Sequence, residues 1–419
     1  MVATVDVLVI GAGIGGLAVA RELLDRGIPG HRIVVVGESL CGRLQTVTTA
    51  AGEQLELGAG RYSRVLHPRL DRLVRAGRLP VDPFAFHVDH CTTSTPSQAL
   101  NGFELADLPA GGSFIDALTA RIGARAAADF VTATGYEALR DKDFPVAGGV
   151  EVAGTHPECA REPGRLQWVR PRDGFGGLID RLATGLRRAG VRVSTGTRVG
   201  AVRHRGDTVA VELHRGAWTL PHRINARTAV LAMAPAAVDA LELPADADLS
   251  WSSAARPVGL FKCFLVYDRP WWDALGLRQR CLITGDPMQK LYFDSARRSI
   301  FFYCDSGNSE HWARLTRSAL RREAFHCVES AAGRHLSIDL RRPVEVHSRY
   351  WPAGIAYLTG DATRPATGVI ALTDQVLLTS DSLTDNPGWI ESALVAAGNT
   401  AALTAMRLGH PIADRALTA

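Results

Sequence analysis

Gly11, Gly13 and Gly16 stand at GxGxxG spacing inside "VDVLVIGAGIGGLAVARELLDRGIPGHRIVVVGES", and Glu38 follows 22 residues after the last of them. These residue types handle a dinucleotide. Gly11 permits a tight turn, Gly13 lets a pyrophosphate approach the backbone, and Gly16 lets a helix pack closely on a strand. The helix N-terminus, with Ile14 and Gly15 in its first turn, faces the phosphates. Glu38, followed by Ser39, accepts hydrogen bonds from a ribose diol. A second chemical candidate is Lys262: only three of the 47 basic residues are lysine, so a lysine inside a motif stands out. A third is Arg61, which follows the turn Gly58-Ala59-Gly60 in "LELGAGRYSRVLHP". Its guanidinium is a planar fork that pairs both oxygens of a carboxylate; the alternative is a structural or solvent-facing arginine.

The elements that must position these groups are legible from periodicity. Val5 to Ile10 is a buried apolar run, Leu17, Ala18, Leu23 and Leu24 recur at helical spacing, and Ile33 to Val36 is a second apolar run, so the glycines lie in a strand–turn–helix–strand unit. The alternative is a glycine-rich turn with no ligand. In "PVGLFKCFLVYDRPWW", Phe261, Cys263, Leu265 and Tyr267 alternate with Lys262, Phe264 and Val266, which indicates a strand with Lys262 on one face.

The unit alone does not separate NAD from FAD, but "ESLCGRLQTVTTAAGEQLELGAGRYS" resembles the stretch that follows the ribose glutamate in the flavin amine oxidase family. Gly42-Arg43 stands for that family's Gly-Arg pair, with Cys41 in place of a glycine. The resemblance implies FAD, with Arg43 against its pyrophosphate and Gly58, Ala59 and Gly60 beside the flavin ring. It places Val199 at the adenine through its backbone, and Lys262 over a water at flavin N5. "SRYWPAGIAYLTGD" resembles the segment that presents an aromatic near the flavin, at a Gly-x-x-Tyr turn, with Trp351 and Tyr357 as candidates; core packing is the alternative for either. "VLLTSDSLTDNPGWIESALVAAGNTAALTAM" resembles the C-terminal flavin motif. There Ser380 and Asp381 replace a Gly-Glu pair that bonds the ribityl chain, and Gly388, Trp389 and Ile390 open a helix beneath the flavin. In the L-amino acid oxidase branch, an arginine just after the Gly-Ala turn clamps the substrate carboxylate, and Arg61 matches it.

The resemblance implies an α/β fold: a Rossmann-like FAD-binding domain over 1–65, 166–240 and 370–419, and a discontinuous α+β substrate-binding domain over 66–165 and 241–369. It also implies an FAD-dependent oxidase that converts an L-amino acid to the imino and then the 2-oxo acid, with O2 reduced to H2O2 and FAD held non-covalently. The rival readings are a primary amine or polyamine oxidase with Arg61 structural, an FAD-fold desaturase or non-redox flavin isomerase, and a non-enzymatic FAD-binding remnant.

Composition bounds the rest. At 419 residues two domains are the default, and 46% apolar with 21% charged residues fits a soluble globular chain. A net charge of +4, with basic residues scattered, argues against a nucleic-acid binder. Seven cysteines without CxxC spacing read as reduced thiols, not a disulfide frame or metal site. With no run of about 18 apolar residues and no signal-peptide pattern, the expectation is a cytoplasmic enzyme with no membrane partner. A homodimer is compatible with this reading.

Overall fold

A computed structural model of the protein describes residues 4–109, 111–159, 166–216, 222–285, 287–333, 342–359, 367–384 and 386–410. The strand Thr4–Ile10 is apolar on both faces because both are covered; Val7, Leu8 and Val9 are fully buried. It pairs in parallel with Ile33–Val36 on one side and with His222–Ala232 on the other. Arg192–Ser194 extends the sheet beyond Ile33–Val36, and Val376–Thr379 joins it parallel to residues 229–232. The hairpin Thr197–Arg205 and Thr208–Arg215 and the short strand Val369–Ala371 complete eight strands. Helices Ile14–Asp25, Gly174–Arg188 and Ile390–Arg407 share one hydrophobic cluster with this sheet. The parallel sheet with helices packed on it is the Rossmann-like arrangement expected. Gly16 is required by a close approach: a Cβ there would lie 1.8 Å from the carbonyl oxygen of Gly11.

The second sheet has six strands, in the order Glu345–Leu358, Ala255–Val266, Ser299–Asp305, Lys290–Asp294, Arg280–Ile283 and His87–His90. The expected alternation in Ala255–Val266 holds. Phe261, Cys263 and Leu265 enter one core cluster, whereas Phe264 and Val266 enter another. Lys262 pairs across to Tyr303 on one neighbour and to Arg349 on the other. Phe114–Ile122, Ala124–Thr134 and Val146–Gly154 form a helical cover, packed on Phe114, Phe130 and Leu139.

All strands of the six-stranded sheet fall within 66–165 and 241–369, and those of the eight-stranded sheet, apart from Val369–Ala371, within the other segments. On that basis we propose the two-domain division given above.

One local expectation is corrected. Residues 354–357 form no Gly-x-x-Tyr turn; they continue the strand Glu345–Leu358, in which Ala356, Tyr357 and Leu358 still pair with Pro257, Arg256 and Ala255. Pro352 is tolerated because this strand is the sheet's edge, where a missing N–H costs no ladder bond. The irregularity that the glycine marks is a register shift: Val258 and Leu260 face Ile355 and Trp351, two residues opposite four.

Candidate functional site

A cavity of about 640 Å³ runs from the N-terminus of Ile14–Asp25 to the six-stranded sheet and the helical cover. Its dinucleotide end is walled by Gly11, Gly13, Ile14, Gly15, Glu38 and Ser39. The helix there is capped by Gly13 with no side-chain bond and carries no acidic residue in its first turn, so its amides are left for an anion. A Cβ on Gly13 would meet nothing closer than 3.8 Å, which leaves the open cradle that a pyrophosphate needs. Glu38 sits at the end of Ile33–Val36, where a ribose is expected. These residues fit FAD.

The middle of the wall is Gly42, Arg43, Gly58, Ala59, Gly60, Ser380, Asp381, Gly388, Trp389 and Ile390. Here the structure shows a bond that the sequence did not. Arg43 forms a two-pronged ion pair with buried Asp381, one contact of 3.2 Å and one shorter, and also donates to the carbonyl of Gly354 at 3.0 Å. Asp381 accepts the Gly388 amide at 3.0 Å as well. Asp381 and Arg43 therefore bond first to each other, and any contact to ribityl or pyrophosphate shares groups already engaged. Helix Ile390–Arg407 has no side-chain cap, and its first-turn Glu391 turns away to accept the amides of Arg69 and Leu70 at 3.0 and 2.9 Å.

At the inner end lie Arg61, Lys262 and Trp351. The Arg61 guanidinium carbon is 5.1 Å from the ring centre of Phe84 and 4.8 Å from that of Trp168. Among the described residues it has no ion-pair partner. Behind Phe84, Arg170 is paired with Asp294 and buried. Lys262 donates to the Gly58 carbonyl at 3.1 Å and lies over the rings of Phe264 and Phe301. A Cβ on Gly60 would come within 2.8 Å of its nitrogen, so a side chain there would push the amine from this place. Burial pushes the Lys262 ammonium down to about 8, with Arg61, Arg170 and Arg297 acting the same way and Glu56 opposing them. Trp351 is fixed by its indole N–H bond to the Leu57 carbonyl at 2.8 Å.

Three expected residues do not line the cavity. Gly16 packs against the strand turn, as its expected role requires. Val199 is buried in its strand next to a register shift. Tyr357 belongs to the helical core, its ring tilted against that of Phe144, with its hydroxyl donating to Asp141 at 2.7 Å.

Several wall residues went unforeseen. Glu56 is buried, and its Oε1 accepts the Phe175 amide at 2.6 Å and the Thr46 hydroxyl at 2.9 Å, while Oε2 has no hydrogen-bond partner; burial raises its pKa. The only sequence signal was a charge between two leucines in "LEL". His67 accepts the Ser63 amide on Nδ1 at 3.0 Å, so Nε2 carries the proton, and burial lowers its pKa to about 4. Tyr136 and Tyr303 share a hydroxyl–hydroxyl bond of 3.1 Å. Among the described residues, no cluster suits a metal ion and no helix is long and apolar enough to cross a membrane.

A Rossmann-like nucleotide site opening into a lysine- and aromatic-lined chamber defines a flavin-dependent oxidoreductase. The family model described as flavin containing amine oxidoreductase matches residues 132–403, and that of the NAD(P)-binding Rossmann-like domain matches residues 9–76. The chain belongs to the flavin-containing amine oxidoreductase family, and FAD is its cofactor. Among solved structures, cyclohexylamine oxidase from Brevibacterium oxydans IH-35A superposes with a TM-score of 0.74 at 16% identity, covering 97% of this chain and 99% of that one. Putrescine oxidase bound to putrescine gives 0.71 at 14% identity, covering 96% and 98%. A protein from Exiguobacterium sp. 255-15 assigned as a protoporphyrinogen oxidase gives 0.74 at 15%, covering 98% and 100%. At these identities the likeness is one of fold.

Lys262 yields a prediction about pH. A lysine whose folded pKa is lowered leaves the unfolded chain holding more protons, so stability rises with pH between the folded and the unfolded value. Wild type should gain stability from about pH 8 upward, toward the ordinary lysine value, and Lys262→Met should lack that gain. Thermal melts from pH 7 to 10.5 check this. Stopped-flow traces of Lys262→Met should show slowed reoxidation by dioxygen with FAD retained; unchanged half-reactions would make Lys262 a strand residue only.

Proposed function

We propose that the protein is an FAD-dependent L-amino acid oxidase. The observation that carries this reading is Arg61, a guanidinium on the cavity wall within cation–π range of Phe84 and Trp168, with no acidic partner among the described residues. Arg61 is half-buried on this wall, and a partly desolvated cation without an anion is poorly compensated until a ligand supplies one. A substrate carboxylate does so, and the fork holds it in one plane. The chemistry supplied by bound FAD is removal of a hydride from Cα–H of an amino acid with a neutral amine, giving an imine that water converts to the 2-oxo acid and ammonia, the two electrons passing to O2 as H2O2. The chain supplies position. Arg61 sets the carboxylate, Lys262 at the Gly58 carbonyl has spare N–H groups for one water, and Trp351 is locked by Leu57 on the same wall. The aromatic walls exclude bulk water.

A second reading is a primary amine or polyamine oxidase, favoured by the cyclohexylamine and putrescine oxidases among the structural relatives. Peroxide release from the twenty L-amino acids, measured beside their decarboxylated amines, separates the two: the first expects acids to outrun amines, and the reverse order selects the second.

FAD is held here without a covalent bond. Cys41 is the cysteine on the cavity wall, and burial raises its pKa, which disfavours the thiolate that a flavin link would need. Heat-denatured protein should release all of its yellow colour into the supernatant; colour that precipitates with the chain contradicts this.

A further inference from the structure

Where Arg61 is held by Phe84 and Trp168, the opposing part of the wall is made by a different core cluster. The helical cover contributes Tyr136, Ala138, Leu139, Phe144, Val152 and Thr155, with no charged side chain among them. Leu139, Phe144 and Val258 are buried in one cluster, against which Val152 and Ile355 pack. The tyrosine hydroxyls and the carboxylate bordering this lobe bond within the chain. The Tyr136 and Tyr303 hydroxyls bond each other, and the buried Asp305 carboxylate accepts the Ala138 amide at 3.0 Å and the Gln289 side chain at 3.4 Å. Lys290 lies over the Tyr136 and Tyr303 rings, off the cavity wall; its buried ammonium has no hydrogen-bond partner among the described residues and feels Asp305 only through space. Among the cover residues themselves, neither a carboxylate nor an ammonium on a substrate side chain meets an opposite charge.

We propose that this lobe selects the substrate's side chain, and that the protein acts on amino acids with large apolar side chains, branched aliphatic or aromatic, with Val152 as a specificity-determining residue. The inference rests on the reading of Arg61 as the carboxylate anchor, which leaves the side chain to occupy the lobe. Each buried methylene is worth about fourfold in binding, so a leucine side chain should gain about 50-fold over that of alanine. A charged side chain loses its hydration without compensation.

The test titrates the FAD-loaded protein anaerobically, following the flavin absorbance. The probes are acids without an α-amine: propanoate, 4-methylpentanoate, glutarate and 6-aminohexanoate, which carry the alanine, leucine, glutamate and lysine side chains. Ethylamine and 3-methylbutylamine are run beside them. The expected result is 4-methylpentanoate about 50-fold tighter than propanoate, with glutarate and 6-aminohexanoate no tighter than propanoate. Val152→Asp should weaken 4-methylpentanoate at least tenfold and leave propanoate within about twofold. Should Val152→Asp fail to hold FAD, Val152→Thr, of the same shape, should give the same pattern with a smaller loss. Glutarate or 6-aminohexanoate binding tightest, or a FAD-replete Val152 variant with an unchanged 4-methylpentanoate affinity, overturns the proposal. Acids that bind equally whatever their side chain leave Arg61 as the anchor and remove the lobe. If 3-methylbutylamine binds tens-fold tighter than ethylamine and no acid binds, the lobe stands and the carboxylate reading falls. Silence from all six overturns both.

Discussion

Arg61→Ala should lower kcat/KM for the preferred amino acid by roughly 30- to 4000-fold. A charge-assisted two-pronged pair in a closed site costs about 2–5 kcal/mol when one partner is removed, and each 1.36 kcal/mol is tenfold. Arg61→Lys should recover only part, because an ammonium keeps the charge but loses the planar fork. FAD absorbance should hardly change. The discriminating control is the decarboxylated amine of the best substrate, on which Arg61→Ala should have little effect. Equal losses for acid and amine would make Arg61 structural and move the amine-oxidase reading ahead.

The largest effect on stability is expected at Asp294. It is 0% exposed and paired with Arg170, itself 5% exposed, and it also accepts the Arg297 amide at 3.4 Å. Removing one partner of a buried pair leaves the other charge uncompensated and costs about 3–5 kcal/mol. The local surplus makes this worse, since Arg61, Arg170, Lys262 and Arg297 all line the same cavity, with Glu56 nearby. Asp294→Ala should lower Tm by at least roughly 5 °C. The double variant Asp294→Leu with Arg170→Leu should recover much of it, because no unpaired charge remains. Melts of the single and double variants that coincide would show that the pair contributes shape rather than charge balance.

What was legible in the sequence was what depends on local spacing. The dinucleotide turn is one continuous segment in which the glycines, the helix and Glu38 lie within forty residues, so its pattern carries its geometry. Lys262 was legible because period two put it opposite Phe261 and Cys263, and the strand keeps that alternation. Tyr357 takes the core-packing alternative because the expected Gly-x-x-Tyr turn does not form: residues 354–357 continue a strand, which carries the ring into the helical core. Val199 lies beside a register shift, which the side-chain pattern does not reveal. The unforeseen wall residues depend on tertiary pairing. Tyr136 and Tyr303 meet across 167 positions and Arg170 and Asp294 across 124, and neither pair has a local signature. The Asp381 departure from the expected glutamate gained a meaning only with Arg43 beside it.

That clasp also bears on biosynthesis. Arg43 lies near the start of the chain, and its anchors, the Gly354 carbonyl and Asp381, arrive more than three hundred residues later, as do the strand Val376–Thr379 and the helix Ile390–Arg407 that packs against Ile14–Asp25. A ribosome-bound chain presents the glycine turn early but lacks the wall opposite it. The flavin wall is therefore completed only after residues 354–390 are made, and chains truncated before Ile390–Arg407 carry the nucleotide motif intact yet lack that part of the wall.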